Sequence, residues 1–300
     1  MNFQDAYFEQ AFEIGFLRAK GDEFQTFFER LMGLAYKADF MACRPWGNQG
    51  DRKNDGYLKS TRCLFQVYAP YEMEAAKAVA KMTEDFEGAK LFWGTHFKKW
   101  AFVHNALDGL PPHCHKLLLD FEQDNPGIQV ETWGLEEQRL IFRILSIEDR
   151  ESWFGSAPTD ETKAALGFGD LQVVLERISS LPASGQNVVK DVPMGKIEAN
   201  SLSESVARLL KDGMVKSPLV SAFFSQWHDA TLGDRLAATF QAEYRRLREQ
   251  HAPNQVFTRL QSWAGGERRG SPEHEMAVLT IIAYFFERCD VFEEPRSVSQ

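Results

Sequence analysis

Apolar side chains recur every three or four positions through residues 3–34. Phe3, Tyr7, Phe8, Phe12, Phe16 and Leu17 form one set, and Phe24, Phe27, Phe28, Leu31, Met32 and Leu34 form another after a break at Gly21-Asp22. That period predicts two helices, each with an aromatic-rich face. The pattern then shortens. Residues 36–46 read as a short strand and turn, and a polar stretch from Gly47 to Asp55 delivers an aspartate onto a second short strand. Cys63-Leu64-Phe65-Gln66-Val67-Tyr68 reads as a buried strand closed by Ala69-Pro70. Gly50 and Gly56 are expected to hold backbone that alanine would strain, and Asp51, Asn54 and Asp55 suit turns. Tyr71 to Lys90 has no Gly or Pro until Gly88 and predicts a crossing helix. A strand over 98–105, a helix over 111–124, a strand over 128–133 and a helix over 135–145 complete the alternation.

Strand and helix in alternation predict an α/β domain over 1–150, a mixed sheet flanked by helices. Beyond it the periodicity weakens, with Asp170–Ile178 helical, and 179–200 is polar and turn-rich, so 151–200 reads as a connecting segment. Residues 201–300 predict an all-α domain. Its last helix, Glu275 to Asp290, is apolar nearly all round, as in a buried helix or one with a face kept for a partner.

With 300 residues, 44% hydrophobic and 26% charged, the chain can bury sizeable cores. A net charge of −9 argues against a protein coated in basic surface, since phosphate contacts come mainly from Lys and Arg. It leaves room for a local basic strip, of which Tyr244-Arg245-Arg246-Leu247-Arg248 is the densest. Cys43, Cys63, Cys114 and Cys289 form no paired motif, and no apolar leader precedes the polar start, so reduced thiols and a cytoplasmic location are expected. No run approaches a membrane span. His113-Cys114-His115 lacks the second spaced pair of a structural zinc site, and His104-Asn105, at a strand end, reads as a turn cap or a phosphate contact.

Gln66 inside an apolar strand needs a reason. Asp55 ahead of one hairpin strand and the Gln66 amide on the next can converge on one divalent cation, and oxygen ligands of this kind suit Mg²⁺, or Mn²⁺ in its place. That chemistry is metal-dependent phosphodiester cleavage.

Helix, Gly-x-x-Gly-Asp-x-x-x-Asp-Gly over Gly47 to Gly56, then an apolar strand carrying Gln66, resembles the Mrr-like branch of the PD-(D/E)XK nucleases. The resemblance covers roughly residues 22–140. It implies a restriction-endonuclease-like fold in which Asp55 is the metal-binding aspartate, Gln66 stands two before the usual lysine, and Glu29 matches the glutamate of the preceding helix. Tyr68 occupies the lysine position, a departure from the family, and Lys53 is the candidate migrated lysine. On that resemblance Asp55, Gln66 and the Val67 carbonyl hold Mg²⁺, Glu29 acts through water, and DNA is the substrate. The run Tyr284-Phe285-Phe286-Glu287-Arg288-Cys289-Asp290-Val291-Phe292-Glu293-Glu294-Pro295 is similar to the C-terminal domain of ABC-three-component proteins, bacterial anti-phage operons related to Lamassu. It implies a partner-binding domain, with an SMC-like or ABC-type ATPase and other operon subunits as partners; the need to restrain a nuclease inside its own cell adds the expectation of oligomerisation under partner control. The alternative is a degenerate nuclease fold serving as a nucleic-acid-binding or assembly module, with Trp46, Tyr57 and Tyr68 available for base stacking.

Overall fold

The computed structural model describes residues 1–43, 53–166, 168–179, 196–227, 229, 231–266, 271–288 and 291–292. Expectations for Trp46, Gly50, Asp51 and most of the polar linker therefore lie outside the described residues. The chain forms two compact units, one of Gly15–Arg150 and one of Met1–Ile14 with Glu151–Gln300.

In the Gly15–Arg150 unit, the end of α1 (Phe3–Arg18) leads to α2 (Asp22–Tyr36), β1 (Phe40–Ala42), β2 (Gly56–Leu58), β3 (Cys63–Tyr68), α3 (Ala75–Trp93), β4 (Lys99–His104), α4 (Pro112–Asp124), β5 (Gln129–Trp133) and α5 (Leu135–Arg143). The strands make one five-stranded sheet in chain order. β1, β2 and β3 run antiparallel as a meander, and β3, β4 and β5 run parallel through the α3 and α4 crossovers. Such a mixed sheet buries both faces, which is why β3 and β4 are apolar almost throughout.

Alternation sorts the residues onto the two faces. Leu64, Trp100 and Phe102 meet Ala78, Met82 and Phe86 of α3 and Cys114, Leu118 and Phe121 of α4. Cys114 is thus a core residue, the physical reason for an isolated Cys between two His. On the other face Phe65 packs at 5.3 Å from Phe28 of α2 and 4.8 Å from Trp133. Gly56 corrects the sequence expectation: among the described residues it is not one of those with positive φ, and it is small because a Cβ there would sit 2.6 Å from the Phe40 ring.

The helical unit contains α6 (Ile147–Phe154, from Glu151 on), α7 (Asp160–Ala165), α8 (Phe168–Ser179), α9 (Lys196–Ala199), α10 (Glu204–Met214), α11 (Ser217–Gln226), α12 (Leu232–Arg248), α13 (Pro253–Gly265) and α14 (Pro272–Glu287). The first residues of the chain differ from expectation by grouping here. Gln10 Nε2 donates to Thr258 Oγ1 at 2.9 Å, and Phe12 packs edge-on against Trp153 at 6.1 Å. Likewise 151–179, read from sequence as connection, is built into this unit as α6, α7 and α8. α14 is its centre: every residue from Glu275 to Phe286 is buried, which accounts for its all-round apolar sequence.

The end of α14 is closed from within. Lys196, 2% exposed, donates through Nζ to Phe286 O at 2.8 Å and Val291 O at 2.6 Å, with the amine 4.6 Å over the Phe286 ring. A cation suits the negative end of a helix, and carbonyls left there without donors would be costly. Lys196→Met is expected to keep the packing and take the lysine donor from both carbonyls, lowering the stability of the helical unit by about 1–3 kcal/mol in urea unfolding.

Candidate functional site

β2 and β3 bring the sequence-predicted pair together. The Asp55 amide donates to Phe65 O at 2.9 Å, which carries the β2–β3 pairing one residue past Gly56, and Asn54 Oδ1 accepts from the Gly56 amide at 2.9 Å to close the turn. Asp55 is thereby held beside the end of β3. Its Oδ2 accepts from the Gln66 side chain at 2.8 Å and from the Val67 amide at 2.6 Å. Asp55 is 4% exposed and Gln66 3%.

Those bonds orient the amide. Gln66 pairs with Phe102 across the parallel ladder, so its side chain lies on the α3 face with Leu64 and Phe102. Donation from Nε2 to Asp55 assigns the nitrogen end and leaves Oε1 as the other, and Oε1 is buried without a hydrogen-bond partner. A buried amide oxygen of that kind costs free energy unless something binds it. The donor set of a carboxylate and a free amide oxygen fits a hard divalent cation. Val67, predicted to contribute its carbonyl, contributes its amide to Asp55.

Glu29, Lys53 and Tyr68, the remaining predicted residues, meet other groups of the unit. Glu29 sits half-buried on α2, the helix packed on the Phe65 face, and accepts from Gln25 Nε2 at 3.1 Å. Lys53 reaches α3, where its Nζ pairs with Glu84 and lies 3.1 Å from Asp85 Oδ1. Lys81 binds the same oxygen at 2.9 Å. Burial pushes the Asp85 carboxyl above the usual range, with Lys81 and Lys53 opposing it. For Lys53, burial pulls the amine down, and the bonds to Glu84 and Asp85 outweigh it. Tyr68 packs its ring 5.9 Å from Phe102. Tyr57 stacks on Trp93 at 6.5 Å and donates its hydroxyl to His96 O at 2.5 Å, so Tyr57 and Tyr68 are each engaged within the unit.

Asp85 and Lys81 were not singled out from the sequence. The signal was present: Asp85 falls three after Met82 and four before Ala89, positions that helical periodicity sends to the core, and a lone aspartate there is as unusual as Gln66 in its strand.

At the end of β4, Asn105 Nδ2 donates to Ala19 O at 3.3 Å and Pro70 O at 3.4 Å, and His104 Nδ1 accepts from the Ala106 amide at 3.2 Å. Both side chains satisfy backbone, the turn-cap reading. Burial, and secondarily His115, lowers the His104 pKa to about 4. A folded pKa below the unfolded 6.5 means that stability is whole above pH 6.5 and is lost as pH falls toward 4, because only the unfolded chain takes up the proton. The Gly15–Arg150 unit is expected to lose about 2 kcal/mol between pH 7 and 5 from this group. Hydrogen exchange of the β4 amides at the two pH values, compared with His104→Asn, measures it; an equal loss in the variant would remove His104 as the cause.

A mixed α/β unit bearing a buried carboxylate–amide pair, joined in one chain to an all-helical unit, describes the protein's class. Residues 169–293, from α8 through the end of α14, match the family model for C-terminal domain 10 of the ABC-three component (ABC-3C) systems. The match spans less than half of the chain, begins upstream of the boundary expected at residue 201, and supports a component of such a system. No curated protein and no solved structure matches the chain. Among the described residues, no helix is long and apolar enough to cross a membrane, and no cluster of three or more His, Cys, Asp or Glu side chains is placed to hold a metal.

Proposed function

We propose that the protein is the nuclease effector of a multi-component, Lamassu-like anti-phage defence system, a PD-(D/E)XK-type endonuclease that hydrolyses DNA with Mg²⁺ or Mn²⁺. The helical domain docks it onto its operon partners, an SMC-like or ABC-type ATPase among them, and partner-controlled oligomerisation restrains it in the cytoplasm. The observation that carries the reading is the Asp55–Gln66 pair, buried and hydrogen-bonded, with Gln66 Oε1 unpartnered.

In this reading Asp55 and Gln66 Oε1 hold the metal, joined by the Val67 carbonyl. The Val67 amide and Gln66 Nε2 keep the Asp55 carboxylate in one orientation, so it needs no rearrangement during the reaction. When bound, a divalent cation there lowers the pKa of its water and offsets phosphate charge. Lys53 supplies the cation that Tyr68 cannot, orienting hydroxide or stabilising the pentacovalent phosphate, and Glu29 acts through water. The alternative, a degenerate fold acting as an assembly or nucleic-acid-binding module, draws on Tyr68 packed against Phe102 where the family carries lysine.

Cleavage of plasmid and linear DNA by the full chain, with Mg²⁺ or Mn²⁺ and with or without the partner subunits, tests the choice. Metal-dependent cutting is the expected result. Assembly with partners and no cutting under any of these conditions would leave the degenerate reading.

A further inference from the structure

Lys53 is placed by three features, and each costs the fold something. Its backbone is in the left-handed region at φ 61, which a side chain other than glycine's rarely adopts. Its amine meets Asp85, whose carboxylate is fully buried, with Oδ2 lacking any hydrogen-bond partner. Its stem lies along Gly88, where a Cβ would come 2.7 Å from Lys53 Cγ, and glycine is a poor residue for the interior of a helix. Lys81, at 2.9 Å from Asp85 Oδ1, already neutralises that carboxylate. Lys53 is thus a second cation on a carboxylate that α3 already pairs from its own turn, and a left-handed backbone and a glycine in α3 make the room for it.

We propose that Asp85, with Gly88 opening the space, is a positioning residue that fixes where the Lys53 amine stands beside α3. The inference rests on the nuclease reading, in which that amine meets phosphate. Glu84, which is exposed, is the partner that gives way to the negatively charged substrate, while Asp85 keeps the amine in place.

The test uses the full chain with its partner subunits and two measurements. One is acylation of Lys53 by an N-hydroxysuccinimide ester, followed by mass spectrometry against the exposed Lys77 and Lys116. The other is metal-dependent DNA cutting. Lys53 is expected to react more slowly than those two lysines, and several-fold faster in Asp85→Asn. The same variant is expected to lower kcat about 10²-fold, the cost of misplacing a reacting group, with KM for DNA little changed. Asp85→Asn added to Lys53→Met is expected to cost nothing beyond Lys53→Met, as it must if Asp85 acts only through that lysine. Gly88→Ala displaces the lysine stem without touching a charge, favours the helix, and decides the matter should Asp85→Asn fold poorly. Cutting by the original protein, with acylation and kcat unchanged in Asp85→Asn or Gly88→Ala, would overturn this inference alone. Absence of cutting by the original protein would overturn the nuclease reading and, with it, the role given to Asp85.

Discussion

Asp55→Asn is expected to abolish metal-dependent DNA cutting, by about 10³-fold or more, while leaving the Gly15–Arg150 unit folded. The estimate follows from removing a full negative charge from the proposed metal site, where several kcal/mol of transition-state stabilisation correspond to that factor in rate. Asparagine has nearly the shape of aspartate, and its amide oxygen can still accept from the Val67 amide, now 2.6 Å from Asp55 Oδ2. Asp55→Ala is a poorer probe. It leaves the Val67 amide and Gln66 Nε2 without their acceptor at a site where both residues are packed in, and is expected to cost about 1–3 kcal/mol of stability as well as activity. Comparing hydrogen exchange of the β3 amides in the two variants separates the effects: protection retained in Asp55→Asn with cutting lost assigns the carboxylate to chemistry. Cutting retained in Asp55→Asn would remove the metal site from the mechanism.

The second large effect belongs to the helical unit. Gly213→Leu is expected to lower the stability of that unit by about 3 kcal/mol, because inserted methylenes in a filled core force backbone shifts. A Cβ at Gly213 would sit 2.8 Å from Ala283 Cβ and 2.8 Å from Leu279 O, the latter a backbone atom of the central helix α14. The whole helix pair must separate to admit it. Its thermal transition is expected to fall by roughly 10 °C, measured by scanning calorimetry with the α14 amides followed by hydrogen exchange. Gly169→Ala in α8 is the control: nothing lies within 4 Å of its Cβ position, and the better helix former is expected to stabilise by up to about 1 kcal/mol. If Gly213→Leu unfolds at the original temperature, α10 and α14 do not pack through that glycine.

Much of the fold is legible because secondary structure is written in local periodicity. The strand at Cys63–Tyr68, the helices at Pro112–Asp124 and Leu135–Arg143, and the last helix all follow from spacing that involves only near neighbours in the chain. The Asp55–Gln66 pair is legible for the same reason: eleven residues apart across a tight hairpin, with one amide interrupting an apolar run. The partner of Lys53 is different. Asp85 lies 32 positions away, beyond two strands and a loop, and no short-range pattern connects them.

The amino-acid sequence by itself determined the alternation of strands and helices through the mixed sheet, an apolar last helix and the Asp55–Gln66 meeting, since each depends on residues within a hairpin or a few helical turns of one another. Only the tertiary structure decided that Met1–Ile14 group with Glu151–Gln300, that Gly56 makes room for Phe40, and that Lys53 is held by Asp85 over Gly88. These are contacts between elements. They depend on which helix crosses which face of the sheet, and that is settled by the packing of whole apolar surfaces rather than by any local run of residues.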